Sequence, residues 1–144
     1  MKVIFLDVDG VLNNTEDFRT NWQITPDHLN NLKAIVDATE AKIVLSSAWK
    51  NVYTSRAKVV RALESVGLEI YDDTPAKGVD RFTHCGAKVV EIASYLEDHP
   101  EVTNYVILDD RSFPEEMENH HVKTTLGIGL LEEHANQAIE ILNQ

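Results

Sequence analysis

One segment near the start of the chain decides its fold class and points to its chemistry: Val3-Ile4-Phe5-Leu6-Asp7-Val8-Asp9-Gly10-Val11-Leu12. Its apolar run is typical of a buried strand, and side chains alternate along a strand, so Asp7 and Asp9 leave the carboxyl end on the same side. Two carboxylates that close repel each other unless a proton or a cation lies between them, and Mg²⁺ prefers such oxygens. Gly10 lets the chain turn sharply without a side chain blocking the pocket. The segment therefore predicts a phosphoryl-transfer site, although an ordinary acidic turn after a strand would share the pattern.

A second acidic pair, Asp109-Asp110, favours the first of these two interpretations. It follows Tyr105-Val106-Ile107-Leu108, which is again an apolar strand that ends in carboxylates. Two strand ends of this kind in one small chain favour a site over a chance turn. A calcium-binding EF-hand loop does not fit, because its glycine belongs two residues beyond Gly10 and no matching Glu follows.

The composition is that of a soluble globular protein. Its 144 residues predict one domain, residues 1–144, that is large enough to bury a core. No apolar stretch is long enough to span a membrane and no signal-peptide pattern precedes the first strand, so we expect no membrane partner and a cytoplasmic location. Cys85 is the only cysteine, and a chain without an intrachain disulfide suits a reducing compartment.

The net charge of −11 restricts the partners that this surface can bind. It argues against a protein that binds long nucleic acid tightly over a broad surface. A metal ion and a few local cations, such as Lys50, could still hold one phosphate of a nucleic-acid end. The composition specifies no oligomeric state.

Strands and helices alternate along the chain. After the first strand we predict strands over residues 42–45, 68–71, 105–108 and 121–125. We predict helices from Pro26, with Thr25 as N-cap, from about Thr54 to a stop at Gly67, and over residues 87–98 and 131–143. This alternation indicates a three-layer α/β/α Rossmann-like fold with a central parallel sheet. Ligands of such sheets bind beyond the carboxyl ends of the strands, where the polar candidates fall: Asp7, Asp9, Ser46, Asp109 and Asp110.

Four motifs, in order, resemble those of the haloacid dehalogenase-like (HAD) phosphohydrolase superfamily. Motif I is Asp7-Val8-Asp9-Gly10-Val11-Leu12, and motif II, an apolar strand that ends in Ser or Thr, is Ile43-Val44-Leu45-Ser46. Motif III, a Lys or Arg at the start of a helix, is best matched by Lys88, with Lys77 and Arg81 as competitors. Motif IV is Ile107-Leu108-Asp109-Asp110. The segment Ser46-Ser47-Ala48-Trp49-Lys50, then Lys88 three residues before Glu91-Ile92, and then motif IV further resemble the small HAD domains linked to RNA-repair proteins.

The resemblance implies a catalytic role for a residue of each of the first three motifs. Asp7 would attack phosphorus and form a transient aspartyl-phosphate. Asp9 would protonate the leaving oxygen and then accept a proton from the water that hydrolyses the intermediate. Ser46 would donate a hydrogen bond to a phosphoryl oxygen, and Lys88 would balance charge on the phosphate and the nucleophile.

The resemblance also implies a metal site and a substrate site. Mg²⁺ would be bound by Asp7, by the backbone carbonyl of Asp9 and by Asp109, with Asp110 beside it; the choice between Asp109 and Asp110 as the direct ligand stays open. The substrate would contact four further residues: Gly10, Ser47, Trp49 and Lys50. For Trp49, packing in the core is the alternative.

The intervals between motifs I, II and III are too short for a cap domain, so we expect an open site. Such a site suits a phosphorylated substrate that is either a small molecule or a nucleic-acid end. Phe18 and Trp22 follow motif I, where they either stack on a substrate base or close the edge of the core. Two alternatives to a phosphatase are a receiver-like module, which would use Asp72-Asp73 after the third strand, and a degenerate HAD module that binds phosphate or metal.

Overall fold

A computed structural model of the chain describes residues 1–15, 23–76 and 86–144. Its strands are β1 (Lys2–Leu6), β2 (Lys42–Leu45), β3 (Ile70–Asp73), β4 (Asn104–Asp109) and β5 (His121–Lys123). Its helices are α1 (Pro26–Thr39), α2 (Tyr53–Glu64), α3 (Ala87–Asp98), α4 (Glu115–Glu118) and α5 (Glu132–Leu142), and a 3₁₀ helix covers Ala48–Asn51. Several residues named in the sequence lie outside the described ranges: Phe18, Trp22, Lys77, Arg81 and Cys85.

The described strands form one parallel sheet with the order β3-β2-β1-β4-β5. β1 is central, and its neighbours are β2 and β4. Leu6 is in register with Leu45 on one side and with Leu108 on the other. The residues that follow these three leucines therefore emerge side by side at the carboxyl edge of the sheet: Asp7, Ser46 and Asp109.

Helices cover both faces of the sheet because successive strand side chains point to opposite faces. Ile4 and Leu6 of β1 pack on one face with apolar residues of α1, α2 and α5. Val3 and Phe5 pack on the other face with apolar residues of α3 and with Met117 of α4. Burial on both faces confirms the predicted three-layer α/β/α Rossmann-like fold with a central parallel sheet.

The third strand has different ends from those predicted. It was expected over residues 68–71, but it begins at Ile70 and runs to Asp73. Leu68 is not yet part of the sheet, because its N–H donates to the carbonyl of Leu63 in the turn that ends α2. Gly67 lies in this turn with φ of +77°, the left-handed conformation that commonly closes a helix. The helix stop is therefore where the sequence predicts it, and the strand starts later.

The fifth strand and the cap of α1 also differ from their predictions. The strand expected to reach residue 125 ends at Lys123, because Thr125 instead pairs antiparallel with Gly129 in the following turn. Thr25 occupies the predicted N-cap position before Pro26, yet its side chain makes no capping hydrogen bond within the described part of the chain. The first turn of α1 therefore relies on Pro26, whose ring restricts φ to a helical value.

At the carboxyl edge of the sheet, the described residues form short connections. Within the described ranges, no second folded unit separates β1 from β2 or β2 from α3, in agreement with the predicted capless fold. No helix in these ranges combines the length and the apolar character needed to cross a bilayer.

Candidate active site

A cleft of about 600 Å³ opens at the carboxyl edge of the sheet. Most of the predicted site residues line it: Asp7, Asp9, Ser46, Ser47, Lys50, Lys88 and Asp110. Glu91, which the sequence resemblance includes with Lys88, also lines it, as do residues that no motif indicated, among them Asn51, Arg111 and Leu126. Another cavity, of about 640 Å³, lies at the opposite edge of the sheet around Glu40, Lys42 and Glu69. It is lined by none of the predicted site residues, so the cleft at the carboxyl edge is the candidate site.

Three carboxylates gather around one lysine at the floor of this cleft. Asp7, Asp109 and Asp110 each present a carboxylate oxygen, and these oxygens lie within 4.8 Å of one another. Lys88, in the first turn of α3, places its Nζ 2.8 Å from Oδ2 of Asp7 and 2.9 Å from Oδ2 of Asp109. Three carboxylates against one ammonium leave an excess of negative charge. Lys88 thus occupies the position expected of the motif III cation, whereas its competitors lie outside the described residues.

The pKa values of the cluster reflect this crowding. The pKa of Asp7 is raised to about 6, chiefly because the carboxyl is buried; the Lys88 ammonium opposes this shift, and the nearby Asp109 carboxylate adds to it. Burial and the Asp109 charge likewise raise the pKa of Asp110. Burial disfavours the charged form of Lys88, but the Asp7 and Asp109 carboxylates outweigh it and raise the Lys88 pKa. A divalent cation would offset the excess negative charge, and oxygen ligands of this type suit Mg²⁺. The residues present therefore fit the implied metal.

The carboxylate of Asp9 is not part of this cluster. Its Oδ2 accepts a hydrogen bond of 3.2 Å from the indole Nε1 of Trp49, and its Oδ1 accepts one of 3.0 Å from Nδ2 of Asn13. Asn13 also accepts a hydrogen bond from the backbone N–H of Gly10 through Oδ1. The side chain of Asp9 is therefore held apart from the metal candidates, so that only its backbone carbonyl remains for the predicted metal contact.

Trp49 combines a packing role with this polar contact. Its ring packs against the core on the α1 and α2 face of the sheet, while its N–H reaches Asp9. Ser47 caps the 3₁₀ helix, since its Oγ accepts a hydrogen bond from the backbone N–H of Trp49. Trp49 and Ser47, two of the four residues predicted to contact substrate, thus have hydrogen-bond partners within the protein.

The hydroxyl of Ser46, unlike that of Ser47, makes no hydrogen bond with the described part of the protein. Its backbone N–H donates to the carbonyl of Leu6, which continues the pairing of β2 with β1. Its hydroxyl is buried in the wall of the cleft and has no hydrogen-bond partner among the described residues. A buried hydroxyl without a partner is unfavourable in the folded protein, and a phosphoryl oxygen in the cleft would satisfy it.

Lys50 forms an ion pair inside the cleft. Its Nζ lies 2.9 Å from Oε2 of Glu91, and the two side chains are only 5% and 6% exposed. Glu91 follows Lys88 by three residues, and side chains at this spacing share a face of α3. The sequence resemblance includes this spacing but assigns Glu91 no role. Asn13 was given no role in the site either, and the signal that could have indicated it is its position four residues after Asp9, directly after motif I.

The carboxylates at the end of the third strand, Asp72 and Asp73, lie away from the cluster. β3 is at the edge of the sheet, and β2 separates it from β1. Asp73 forms a bidentate ion pair with Arg56, and Asp72 accepts a hydrogen bond from the hydroxyl of Tyr95. In receiver-type sheets the third strand is a direct neighbour of the first. The strand order therefore does not support the receiver-like alternative.

A family model matches most of the chain. The model for the HAD domain in Swiss Army Knife RNA repair proteins matches residues 3–135, a range that includes all four motifs. No curated protein and no solved structure matches the chain significantly.

Proposed function

This chain belongs to the family of HAD domains in Swiss Army Knife RNA repair proteins, and we propose that it is a Mg²⁺-dependent phosphohydrolase that acts through an aspartyl-phosphate. One observation carries the proposal: Asp7 is buried at the carboxyl end of the central strand, with Lys88 2.8 Å from its carboxylate and two further aspartates beside it. A carboxylate so placed can attack a phosphorus atom that the surrounding charges hold in position.

The chemistry has two steps. In the first, a carboxylate oxygen of Asp7 forms a bond to phosphorus while the bond to the leaving oxygen breaks, and Asp9 gives its proton to that oxygen. In the second, the Asp9 carboxylate takes a proton from water as the water oxygen attacks phosphorus. The bond between phosphorus and Asp7 breaks, which releases phosphate and restores both aspartates.

Other residues of the cleft stabilise charge during these steps. The ammonium of Lys88 faces the Asp7 carboxylate and offsets negative charge that develops on the phosphoryl group. The hydroxyl of Ser46 donates to a phosphoryl oxygen. Asp7, Asp109 and Asp110, with the carbonyl of Asp9, would hold Mg²⁺. When bound, the metal supplies positive charge at the phosphoryl oxygens.

The substrate that we propose is a phosphomonoester at a nucleic-acid end. The family description names RNA repair proteins, and no cap covers the cleft among the described residues. The net charge of −11 disfavours contact with a long nucleic-acid segment, so recognition would be confined to the terminal phosphate and its neighbours. The exposed Arg111 supplies local positive charge in the cleft, whereas the ammonium of Lys50 is paired there with Glu91. We expect this activity in the cytoplasm.

The test is Mg²⁺-dependent phosphate release by the wild type and by Asp7→Asn, with Asp37→Asn as a matched surface control. Aryl phosphate, nucleotides, sugar phosphates, phosphopeptides and oligonucleotides phosphorylated at the 3′ or 5′ end form the substrate panel. We expect release that requires both Mg²⁺ and Asp7, with the phosphorylated oligonucleotides turned over fastest. Full activity of Asp7→Asn would contradict the mechanism. Inactivity on all substrates, with Mg²⁺ still bound in calorimetry, would favour a degenerate module that binds metal or phosphate.

A further inference from the structure

We infer that Trp49 and Asn13 are positioning residues that orient the Asp9 carboxylate for proton transfer. The inference rests on the proposed function and adds two residues that contact neither the metal cluster nor the reacting phosphorus. Its basis is the pair of hydrogen bonds that the two Asp9 oxygens accept, 3.2 Å from Trp49 Nε1 and 3.0 Å from Asn13 Nδ2. One donor on each oxygen restricts rotation of the carboxylate group.

The position of Trp49 is fixed by hydrogen bonds to its backbone and by packing of its ring. Its backbone N–H donates to Oγ of Ser47, and its backbone carbonyl accepts a hydrogen bond of 2.8 Å from Oγ of Ser55. The ring packs against the hydrophobic core that lies under α1 and α2. The segment directly after motif II therefore determines where the N–H of Trp49 points, and it points at motif I.

The side-chain amide of Asn13 is also held in one orientation by hydrogen bonds. Its Oδ1 accepts the backbone N–H of Gly10 at 3.0 Å, so its Nδ2 is the atom that faces Asp9. Asn13 is fully buried, so its hydrogen bonds do not compete with water. The turn of motif I thus supplies the second donor.

These contacts matter because Asp9 must serve as acid and then as base on the same side of the substrate. A proton moves efficiently only when donor and acceptor lie within hydrogen-bond distance, and a misplacement of about 1 Å can cost roughly 10²-fold in rate. With both oxygens held, the carboxylate stays out of the Asp7, Asp109 and Asp110 cluster and keeps its remaining lone pairs for the proton.

Dependence on the leaving group separates positioning of Asp9 from a general structural effect. Trp49→Phe removes the N–H but keeps an aromatic ring. In single-turnover experiments, we expect formation of the phosphoenzyme from an alkyl phosphate to slow by about 10- to 100-fold, because the alkoxide requires the acid. Formation from an aryl phosphate should be nearly unchanged, because the phenolate leaves without protonation. The phosphoenzyme should then accumulate, since hydrolysis requires Asp9 as the base.

A second variant tests the inference if Trp49→Phe does not fold. Asn13→Asp keeps the acceptor for Gly10, removes the donor to Asp9 and places a like charge beside it, so the same leaving-group pattern is expected. In the double variant Asp9→Asn/Trp49→Phe, we expect no loss beyond that of Asp9→Asn alone. Equal slowing of alkyl and aryl phosphates, or additive losses in the double variant, would overturn the inference.

A measurement without turnover distinguishes this inference from the proposed function. The chain has two tryptophans, so Trp49→Phe assigns the indole N–H resonance of Trp49 in an NMR spectrum. That resonance should shift in Asp9→Ala and stay in place in the control Asp37→Ala. An unmoved resonance would overturn the inference even in an active enzyme. A shifted resonance in a protein that shows no Asp7-dependent turnover would place the failure in the proposed function.

Discussion

Gly10 and Asp110 approach so closely that a Cβ atom at residue 10 would lie 2.9 Å from Cγ and 3.0 Å from Oδ2 of Asp110. Gly10 also has φ of +79°, a backbone conformation that residues other than glycine rarely adopt. The glycine of motif I therefore has two functions. It permits the turn after β1, and it leaves the space into which the Asp110 carboxylate reaches beside Asp7 and Asp109.

Replacement of Gly10 should weaken Mg²⁺ binding. In Gly10→Ala the new methyl group would displace the Asp110 carboxylate, and the positive φ would cost roughly 1–2 kcal/mol of stability. Gly67→Ala is the matched control, because Gly67 has φ of +77° but no atom within 4 Å of the added Cβ. We expect both variants to lose stability in urea denaturation and only Gly10→Ala to lose Mg²⁺ affinity in calorimetry. Equal Mg²⁺ affinities would contradict the proposed role of Asp110.

Loss of the Lys88 ammonium should destabilise the protein most when Mg²⁺ is absent. Lys88→Met leaves two almost fully buried carboxylates without their cation, which typically costs about 3 kcal/mol. We expect urea denaturation to show this loss in chelator and a partial recovery in Mg²⁺, and we expect phosphate release to be lost. In the control Lys33→Met, only an exposed ion pair with Asp37 is removed, so stability should change by less than about 0.5 kcal/mol. A Lys88→Met protein as stable as the wild type in chelator would refute the charge argument.

Ser46→Ala should lower the rate of phosphate release without lowering the stability of the protein. The hydroxyl makes no hydrogen bond within the described structure, so its removal should leave the free energy of unfolding unchanged or slightly higher. If the hydroxyl donates to the phosphoryl group, its loss should lower kcat by roughly 10²- to 10³-fold. Ser65→Ala, on an exposed hydroxyl at the end of α2, should change neither quantity by much. A normal kcat for Ser46→Ala would remove this residue from the mechanism.

The stability of α5 should depend on pH through His134. Its Nδ1 accepts a hydrogen bond of 2.9 Å from the backbone N–H of Leu131 at the start of the helix, and burial lowers the pKa of His134. The unfolded chain therefore binds this proton at a higher pH than the folded protein does. His134 stabilises the fold above pH 6.5, and this contribution is lost as the pH falls through the lower folded value.

His134→Gln provides the comparison for this pH dependence. Glutamine at the third helical position can still accept a hydrogen bond from the N-cap backbone but does not titrate. We expect the stability difference between wild type and variant, measured by urea denaturation from pH 7.5 to 5, to shift in favour of the variant as the pH falls. A difference that stays constant over this range would show that His134 does not titrate with folding.

The architecture was largely predictable because its signals are local. Runs such as Val3 to Leu6 and Tyr105 to Leu108 identify strands, and the apolar stripe of residues 87–98 identifies α3 with the observed bounds. Where the prediction was wrong, hydrogen bonds within adjoining turns changed the ends of the strands. Leu68 completes the turn after α2 instead of joining β3, and Thr125 pairs with Gly129 instead of extending β5.

The sequence indicated which residues belong to the site better than it indicated the contacts between them. Motif patterns named Asp7, Lys88 and Asp109, and the structure brings these three within ion-pair distance. The pairing of Lys50 with Glu91 depends on how α3 packs across the sheet from the 3₁₀ helix, and no local pattern encodes that packing.

The sequence by itself determined that carboxylates and a serine end the buried strands, because alternation and apolar runs are properties of neighbouring residues. Only the tertiary structure decided which of these ends meet. The order β3-β2-β1-β4-β5 brings β4 beside β1 and leaves β3 at the edge, so Asp109 joins Asp7 while Asp73 pairs with Arg56 instead. The physical reason is that strand order follows from the packing of crossover helices over both faces of the sheet. This packing is a sum of many weak contacts between residues far apart in the chain.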